Sequence, residues 1–218
     1  MSKIFWLLIL LIGLAPAAVG CDLNDPDRDI LRIGTYYTSL RPRITYQTAY
    51  LSLEKLGGEK TLREVETRLG DKFSGLYETI DVPYTLYTLY QGEKIIGYVH
   101  GINQKGRYGG LQVFLAYDTQ GIIKHFYYQK LTSRQAQELR SPEFSAQFSG
   151  LSLQDFLNYD VQTGSGGSTK AQAIKNPSPA DAADFLATLR AVKKNLILMD
   201  IFVFNNKERT SPPQRSQP

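Results

Sequence analysis

The chain has 218 residues, 42% of them hydrophobic and 21% charged, with a net charge of +4 and a single cysteine. So mild a charge, with no block of like sign, leaves no electrostatic footprint for nucleic-acid binding. One cysteine excludes a disulfide framework within the chain. The two histidines, His100 and His125, lie far apart without a cysteine partner and make no case for a structural zinc site.

Residues 1–20 read as a secretory signal peptide. Lys3 precedes an apolar run over 4–14, and small residues (Ala15, Ala17, Ala18, Gly20) lead to Cys21. The run falls short of the roughly 20 apolar residues that a membrane-spanning helix needs. Ala18-Val19-Gly20-Cys21 resembles the bacterial lipobox, with Ala18 where that motif prefers Leu. The resemblance implies cleavage before Cys21 by signal peptidase II and a diacylglycerol on the Cys21 thiol. The mature protein would then be lipid-anchored in the bacterial cell envelope, on the extracytoplasmic face of a membrane. Two or three acyl chains hold a protein there stably, where one does not.

Residues 21–43 are polar, with Asp22, Asp25, Asp27 and Asp29 close together, and read as a solvated tether behind the lipid. The run lacks the glycine and distal glutamate of an EF-hand loop, so no metal site is expected. Over 45–69 the spacing predicts a helical pair. Tyr50, Leu51, Leu53 and Leu56 mark the first helix, Gly57-Gly58 the break, and Leu62, Val65 and Leu69 the second helix, capped by Gly70. Residues 84–90, rich in aromatic and β-branched side chains, predict a strand that turns at 91–93 into a second strand over 94–100. A further hairpin is expected from 111–117, a turn at 118–121 and a return over 122–129. Short helices over 133–140, 142–148 and 151–157 follow. Then come a Gly/Ser loop over 163–169, an amphipathic helix from 180 to about 198, and a polar tail, 205–218, expected to be disordered. These elements predict one α+β domain over 44–204, an antiparallel sheet of two hairpins packed with helices.

Three stretches go further. Gly97-Tyr98-Val99 is followed by Tyr108-Gly109-Gly110. Residues 113–118 and Gly121-Ile122-Ile123 form a strand, an Asp-x-x-Gly turn and a return strand. Asp160 is followed by Ser165-Gly166-Gly167-Ser168 and then Ala173-Ile174. Over about residues 84–200 this pattern resembles the FMN-binding domain family, whose members include extracytoplasmic domains of the sodium-pumping NADH:quinone oxidoreductase and of the Rnf complex. In that family an Asp precedes Ser/Thr-Gly-Ala-Thr, and a flavin transferase esterifies the threonine hydroxyl to the FMN phosphate. The resemblance implies a flavin site built from Asp160, Thr163, Ser165, Gly166, Gly167, Ser168 and Thr169, with FMN bound covalently or non-covalently. It also implies a flavin transferase and a membrane redox partner, and an electron-transfer module rather than a stand-alone enzyme.

The motif fits in two registers. Aligning Ser165–Ser168 makes Ser168 the acceptor and places Ala173-Ile174, but leaves Asp160 two residues too distant. Keeping the Asp160 spacing aligns Thr163-Gly164-Ser165 and puts Gly166, which has no hydroxyl, at the acceptor position. Residues 130–134 also replace a Glu-Thr-Pro-Gly-like turn of the family. The alternative is therefore a flavin-free lipoprotein of the same fold, acting as a binding or assembly factor. Phe144, Phe148 and Phe156 read as core before they read as walls for an isoalloxazine. Arg134 and Arg140 suit a phosphate but are commonly just solvated. Tyr84, Tyr87 and Tyr90 read as half-exposed strand tyrosines. No G-x-S-x-G elbow supports a hydrolase.

Overall fold

Five strands pair antiparallel in simple chain order in the computed structural model, which describes residues 21–37, 44–73, 78–179 and 182–205. The signal peptide expected over 1–20 and the tail beyond Asn205 lie outside the described residues. The strands are β1 (Ile44–Leu51), β2 (Tyr84–Gln91), β3 (Lys94–Lys105), β4 (Gly110–Tyr117) and β5 (Ile123–Leu131). Both hairpins stand where the turn chemistry puts them. β2 and β3 meet at Gln91↔Lys94 across Gly92, whose φ of 62° is one that glycine adopts without strain. β4 and β5 close at Tyr117↔Ile123, and the Asp118 carboxylate accepts hydrogen bonds from the Gln120 and Ile122 amides within the turn.

The first predicted helix is a strand instead. β1 pairs with β2 residue by residue, from Ile44↔Gln91 to Leu51↔Tyr84. Ile44, Thr45, Tyr46, Thr48 and Tyr50 are β-branched or aromatic and suit a pleated surface, and the edge of β2 supplies their backbone partners. The second predicted helix is present as α2 (Glu59–Leu69), ended by Gly70 at φ 74° with its amide on the Glu66 carbonyl.

The sheet is covered on both faces. Leu86, Val113, Leu115, Tyr117 and Phe126 join one core with α2, the short helices α3 (Ala136–Leu139), α4 (Pro142–Ala146), α5 (Leu153–Phe156) and α6 (Thr169–Gln172), and the long α7 (Ala183–Met199). A wide π-helical turn, Asp200–Phe204, prolongs α7. The opposite face presents Tyr87, Leu89, Val99, Phe114 and Ala116 to a second, smaller core.

That second core corrects the expected tether. Residues 26–34 form helix α1 (Pro26–Gly34), whose Ile30 and Ile33 are fully buried on the sheet together with Cys21 and Leu23. Asp25 caps the helix by accepting from the Arg28 amide, and Pro26 opens it. Burying each isoleucine contributes about 2 kcal/mol, which the charged composition of the stretch conceals. Hydrogen bonds pin its start. The Leu23 amide donates to the Tyr87 hydroxyl (3.0 Å) and the Asn24 amide to Gln129 Oε1 (2.8 Å). Gln129 Nε2 donates to the Asp22 carbonyl (2.7 Å), and the Thr85 hydroxyl to the Asp22 carboxylate.

The expected amphipathic helix, α7, is buried over 191–199, and its polar side chains are turned inward. Lys193 Nζ donates to the carbonyls of Leu69 (3.1 Å) and Tyr159 (2.7 Å). Lys194 pairs with Glu78 and donates to the Asn103 carbonyl (2.6 Å). Arg190 reaches Asp71 (2.7 Å), Glu78 (3.1 Å) and Gln104 (2.7 Å). These bonds clamp α7 to α2, to β3 and to the chain between α2 and β2. Among the described residues no helix is long and apolar enough to cross a membrane.

Candidate functional site

The Gly/Ser loop is an ordered hairpin. β6 (Tyr159–Asp160) pairs with β7 (Ser165–Gly166) at Tyr159↔Gly166 and Asp160↔Ser165. The Asp160 carboxylate accepts from the amides of Gln162 (2.8 Å) and Thr163 (3.2 Å), bonds that hold its pKa below the usual carboxylate range. The Thr163 and Ser165 hydroxyls lie 2.7 Å apart and satisfy each other. Gly166 and Gly167 follow at φ 81° and 78°, and a Cβ on Gly166 would fall on the Asn158 carbonyl oxygen. Only glycine fits there, because a side chain would be both strained and blocked.

Ser168 ends the loop as the N-cap of α6. Its Oγ accepts from the Ala171 amide (3.3 Å) and donates to Asp155 Oδ1 (2.7 Å). Asp155 also accepts from the Ser152 amide (2.9 Å) and hydroxyl (3.0 Å), the capping box of α5. Burial works against the charge on Asp155, but the hydrogen bonds from Ser168 and Ser152 and the nearby Lys170 outweigh it, and its pKa is lowered. Ser168 is half-buried, while Thr169, the first residue of α6, is exposed.

The structure therefore gathers Asp160, Thr163 and Ser165 in one turn, and Ser168 and Thr169 at the start of α6, with Gly166-Gly167 between them. The carboxylate that meets Ser168 is Asp155, which sequence reasoning missed. Its signal is Ser152-x-x-Asp155, a capping-box spacing. Beside the turn lies a buried polar atom without a partner among the described residues, the Tyr159 hydroxyl, whose pKa burial and then Asp160 push up to about 12.

A phosphoester-linked flavin suits part of this arrangement. Ser168 offers a half-buried hydroxyl and Asp155 a base, while the protein's own atoms fill the space over Gly166 and Gly167. The Asp155 charge opposes a phosphate, and the two arginines singled out in the sequence are engaged elsewhere. The Arg134 guanidinium lies 4.8 Å from the centre of the Tyr108 ring, and Arg140 Nη1 donates to the Tyr128 carbonyl (2.6 Å). Phe144, Phe148 and Phe156 are at most 1% exposed and belong to the core, where Phe126 and Phe148 stack at 4.3 Å. Tyr84 and Tyr87 are buried rather than half-exposed, on opposite faces of the sheet, while Tyr90 is half-buried and bonds to Gln47 (3.0 Å).

Cys21 is 2% exposed, and burial raises its thiol pKa. Such a thiol is a weak nucleophile. Two grooves open elsewhere. One of about 670 Å³ runs between α1 and α4 along β5, and one of about 310 Å³ lies around Gly121, Leu157 and Phe204. Neither includes a residue of the loop over 159–169. No protein-family model matches the chain, and no curated protein is similar to it at a significant level.

Proposed function

We propose that this chain is a membrane-anchored, extracytoplasmic FMN-binding module for electron transfer, lipidated at Cys21 and carrying its flavin at Ser168. The observation that supports it most is the Ser168–Asp155 pair, a hydroxyl with a carboxylate 2.7 Å away. Ser168 Oγ would attack the flavin-side phosphorus of a flavin dinucleotide, the pyrophosphate P–O bond would break to release the nucleoside monophosphate, and Asp155 would take up the hydroxyl proton. The Tyr159 hydroxyl, beside Asp160 and without a partner among the described residues, is a donor that the bound group would satisfy. FMN, when bound, supplies the one- and two-electron chemistry. The chain's own residues position it and hold it at the membrane surface. A flavin transferase and a membrane redox partner complete this reading.

A second reading, a flavin-free lipoprotein of the same fold acting as a binding or assembly factor, is favoured by a specific observation. Thr163, Ser165 and Asp160 are engaged within their own turn, and both grooves lie away from it.

The test is the absorption spectrum and intact mass of the full chain co-expressed with a flavin transferase. Flavin bands with a mass gain of one FMN less water, lost in Ser168→Ala, are expected. Bands without the mass gain mean non-covalent binding. A protein that stays colourless with added FMN overturns the flavin reading in favour of the second.

A further inference from the structure

The larger groove lies on the open side of β5, the last strand of the sheet, between α1 and α4. Its volume, about 670 Å³, is within the range of small-molecule sites. Four cations line it: Arg28 and Arg32 from α1, Lys124 from β5, and Arg140 from the turn before α4. One acidic side chain faces them, Asp29, which is 6% exposed and shared between Arg28 (3.6 Å) and Arg32 (3.7 Å). Arg28 also lies 3.7 Å from the half-exposed Asp25. The Lys124 side chain makes no hydrogen bond or ion pair with any described residue. The lining contributed by α4 is uncharged. Positive charge is thus in excess at a concave place, which is the condition that concentrates an anion.

The wall is flat as well as basic. Tyr36 and His125 stack at 4.0 Å with 14° between their planes, and His125 continues at 21° onto Tyr127, 5.8 Å away. Tyr36 is 46% exposed, so its ring is open to a planar group. His125 adds no charge. Burial and then the neighbouring Arg32 lower its pKa to about 4. The Tyr127 hydroxyl is buried without a hydrogen-bond partner among the described residues. Guanidinium forks match phosphate oxygens better than a single ammonium does, and Ser145, Ser149 and Asn24 add neutral donors along the same groove.

We propose that the groove between α1 and α4 binds an organic phosphate ester, the phosphate on Arg28, Arg32, Lys124 and Arg140 and the organic group against Tyr36. The phosphate can come from a soluble ester or from a phospholipid headgroup. Asn24, three residues after Cys21, lies in the groove wall, so a bilayer holding Cys21 would be within about 10 Å of chain. The proposal depends on neither the flavin nor the lipid.

The test is calorimetric titration of the full chain, in a neutral maltoside detergent at low salt, with phenyl phosphate and separately with glycerophosphoglycerol. Saturable one-to-one binding is expected, weakening as salt is raised and about tenfold weaker in Lys124→Ala. The Lys124 side chain carries no internal bond, so this variant should keep the wild-type Tm. Tighter binding of phenyl phosphate identifies a soluble ring-bearing ester, and tighter binding of glycerophosphoglycerol identifies a headgroup. Ser168→Ala should bind both probes as wild type does, which separates this site from the flavin reading. Failure of both probes to saturate at millimolar concentration overturns the proposal. So does equal affinity in wild type, Lys124→Ala and Arg28→Ala.

Discussion

His100 on β3 and Asn195 on α7 are joined by two hydrogen bonds through the centre of the molecule. His100 Nδ1 lies 2.7 Å from Asn195 Oδ1, and Asn195 Nδ2 donates to the His100 carbonyl at 3.1 Å. The Tyr117 hydroxyl donates to the same Oδ1 at 2.9 Å. Because that oxygen only accepts, the bonding pattern assigns the imidazole proton to Nδ1. Nε2 is left without a partner among the described residues, in a pocket walled by the rings of Tyr84 and Phe202.

Burial lowers the His100 pKa from 6.5 to about 4, against a smaller opposing effect of the Asn195 bond. The folded pKa is below the unfolded one, so the unfolded chain binds more protons as pH falls. The stability contribution is whole above about pH 6.5 and is lost progressively towards pH 4. Between pH 7 and pH 5 this amounts to about 2 kcal/mol. Urea unfolding of wild type and His100→Leu at both pH values checks it. An equal pH-dependent loss in the variant would refute the assignment.

Asn195 itself should be more costly to remove than its size suggests. Asn195→Ala strands the His100 Nδ1–H and the Tyr117 hydroxyl together, for a loss of about 3 kcal/mol. Tyr117→Phe, which removes one donor, should cost about 1 kcal/mol. Comparable losses for the two variants in chemical denaturation would contradict this network.

Lys194 and Glu78 should respond asymmetrically. Burial lowers the Lys194 pKa to about 8, with the Glu78 charge opposing the shift. Burial also disfavours the Glu78 carboxylate, but Lys194 and Arg190 more than offset it and keep it ionised. Glu78→Gln leaves two cations facing a neutral amide and should cost about 3–5 kcal/mol. Lys194→Met leaves Glu78 paired with Arg190 (3.1 Å) and should cost less. The double variant should recover part of the Glu78→Gln loss. A double-mutant cycle with no coupling would show that the pair acts independently.

Cys21 offers a chemical test of the anchor. In the fold described, its sulfur is packed between α1 and the sheet. A free thiol there should resist a maleimide in the folded protein and react once the chain is denatured. A thioether to diacylglycerol should not react in either state. On the lipid reading, protein isolated from membranes stays unlabelled in denaturant, and Cys21→Ser moves it to the soluble fraction. Stoichiometric labelling on denaturation would rule the lipid out.

Asp155→Asn isolates the chemistry of Ser168. The amide oxygen still accepts from the Ser152 amide, so stability should fall by no more than about 1 kcal/mol. The base for the Ser168 proton is lost, and covalent flavin, read by mass, should fall sharply. Undiminished incorporation would show that Asp155 only holds the loop.

What can be read from the sequence is whatever local chemistry decides. Gly92 and the Asp118–Gly121 turn fix both hairpins, and Gly70 ends α2. β1 escapes such a reading because Tyr50, Leu51, Leu53 and Leu56 carry helical spacing, while the pairing that overrides it is with β2, distant in sequence. α1 escapes it because four aspartates outweigh Ile30 and Ile33, although Asp25-Pro26 is a helix-start signature. The Gly/Ser composition over 163–169 marks a connection but not the β6–β7 pairing that orders it, nor the bond from Ser168 to Asp155. Asp155 is hidden because it serves a neighbouring helix, and the groove beside β5 joins three separated segments that no motif links.

The hydrogen bonds that hold residues 22–24 to Thr85, Tyr87 and Gln129 leave almost no leash. A free tether over 21–43 could carry its domain tens of ångströms from an anchoring surface. Residues 22–34, pinned to the sheet, cannot swing. With a lipid on Cys21, the α1 side of the sheet would lie against the bilayer, and α7 would face the aqueous side. A partner in the same membrane would then be met by sliding within the plane, because the domain has no slack with which to reach outward.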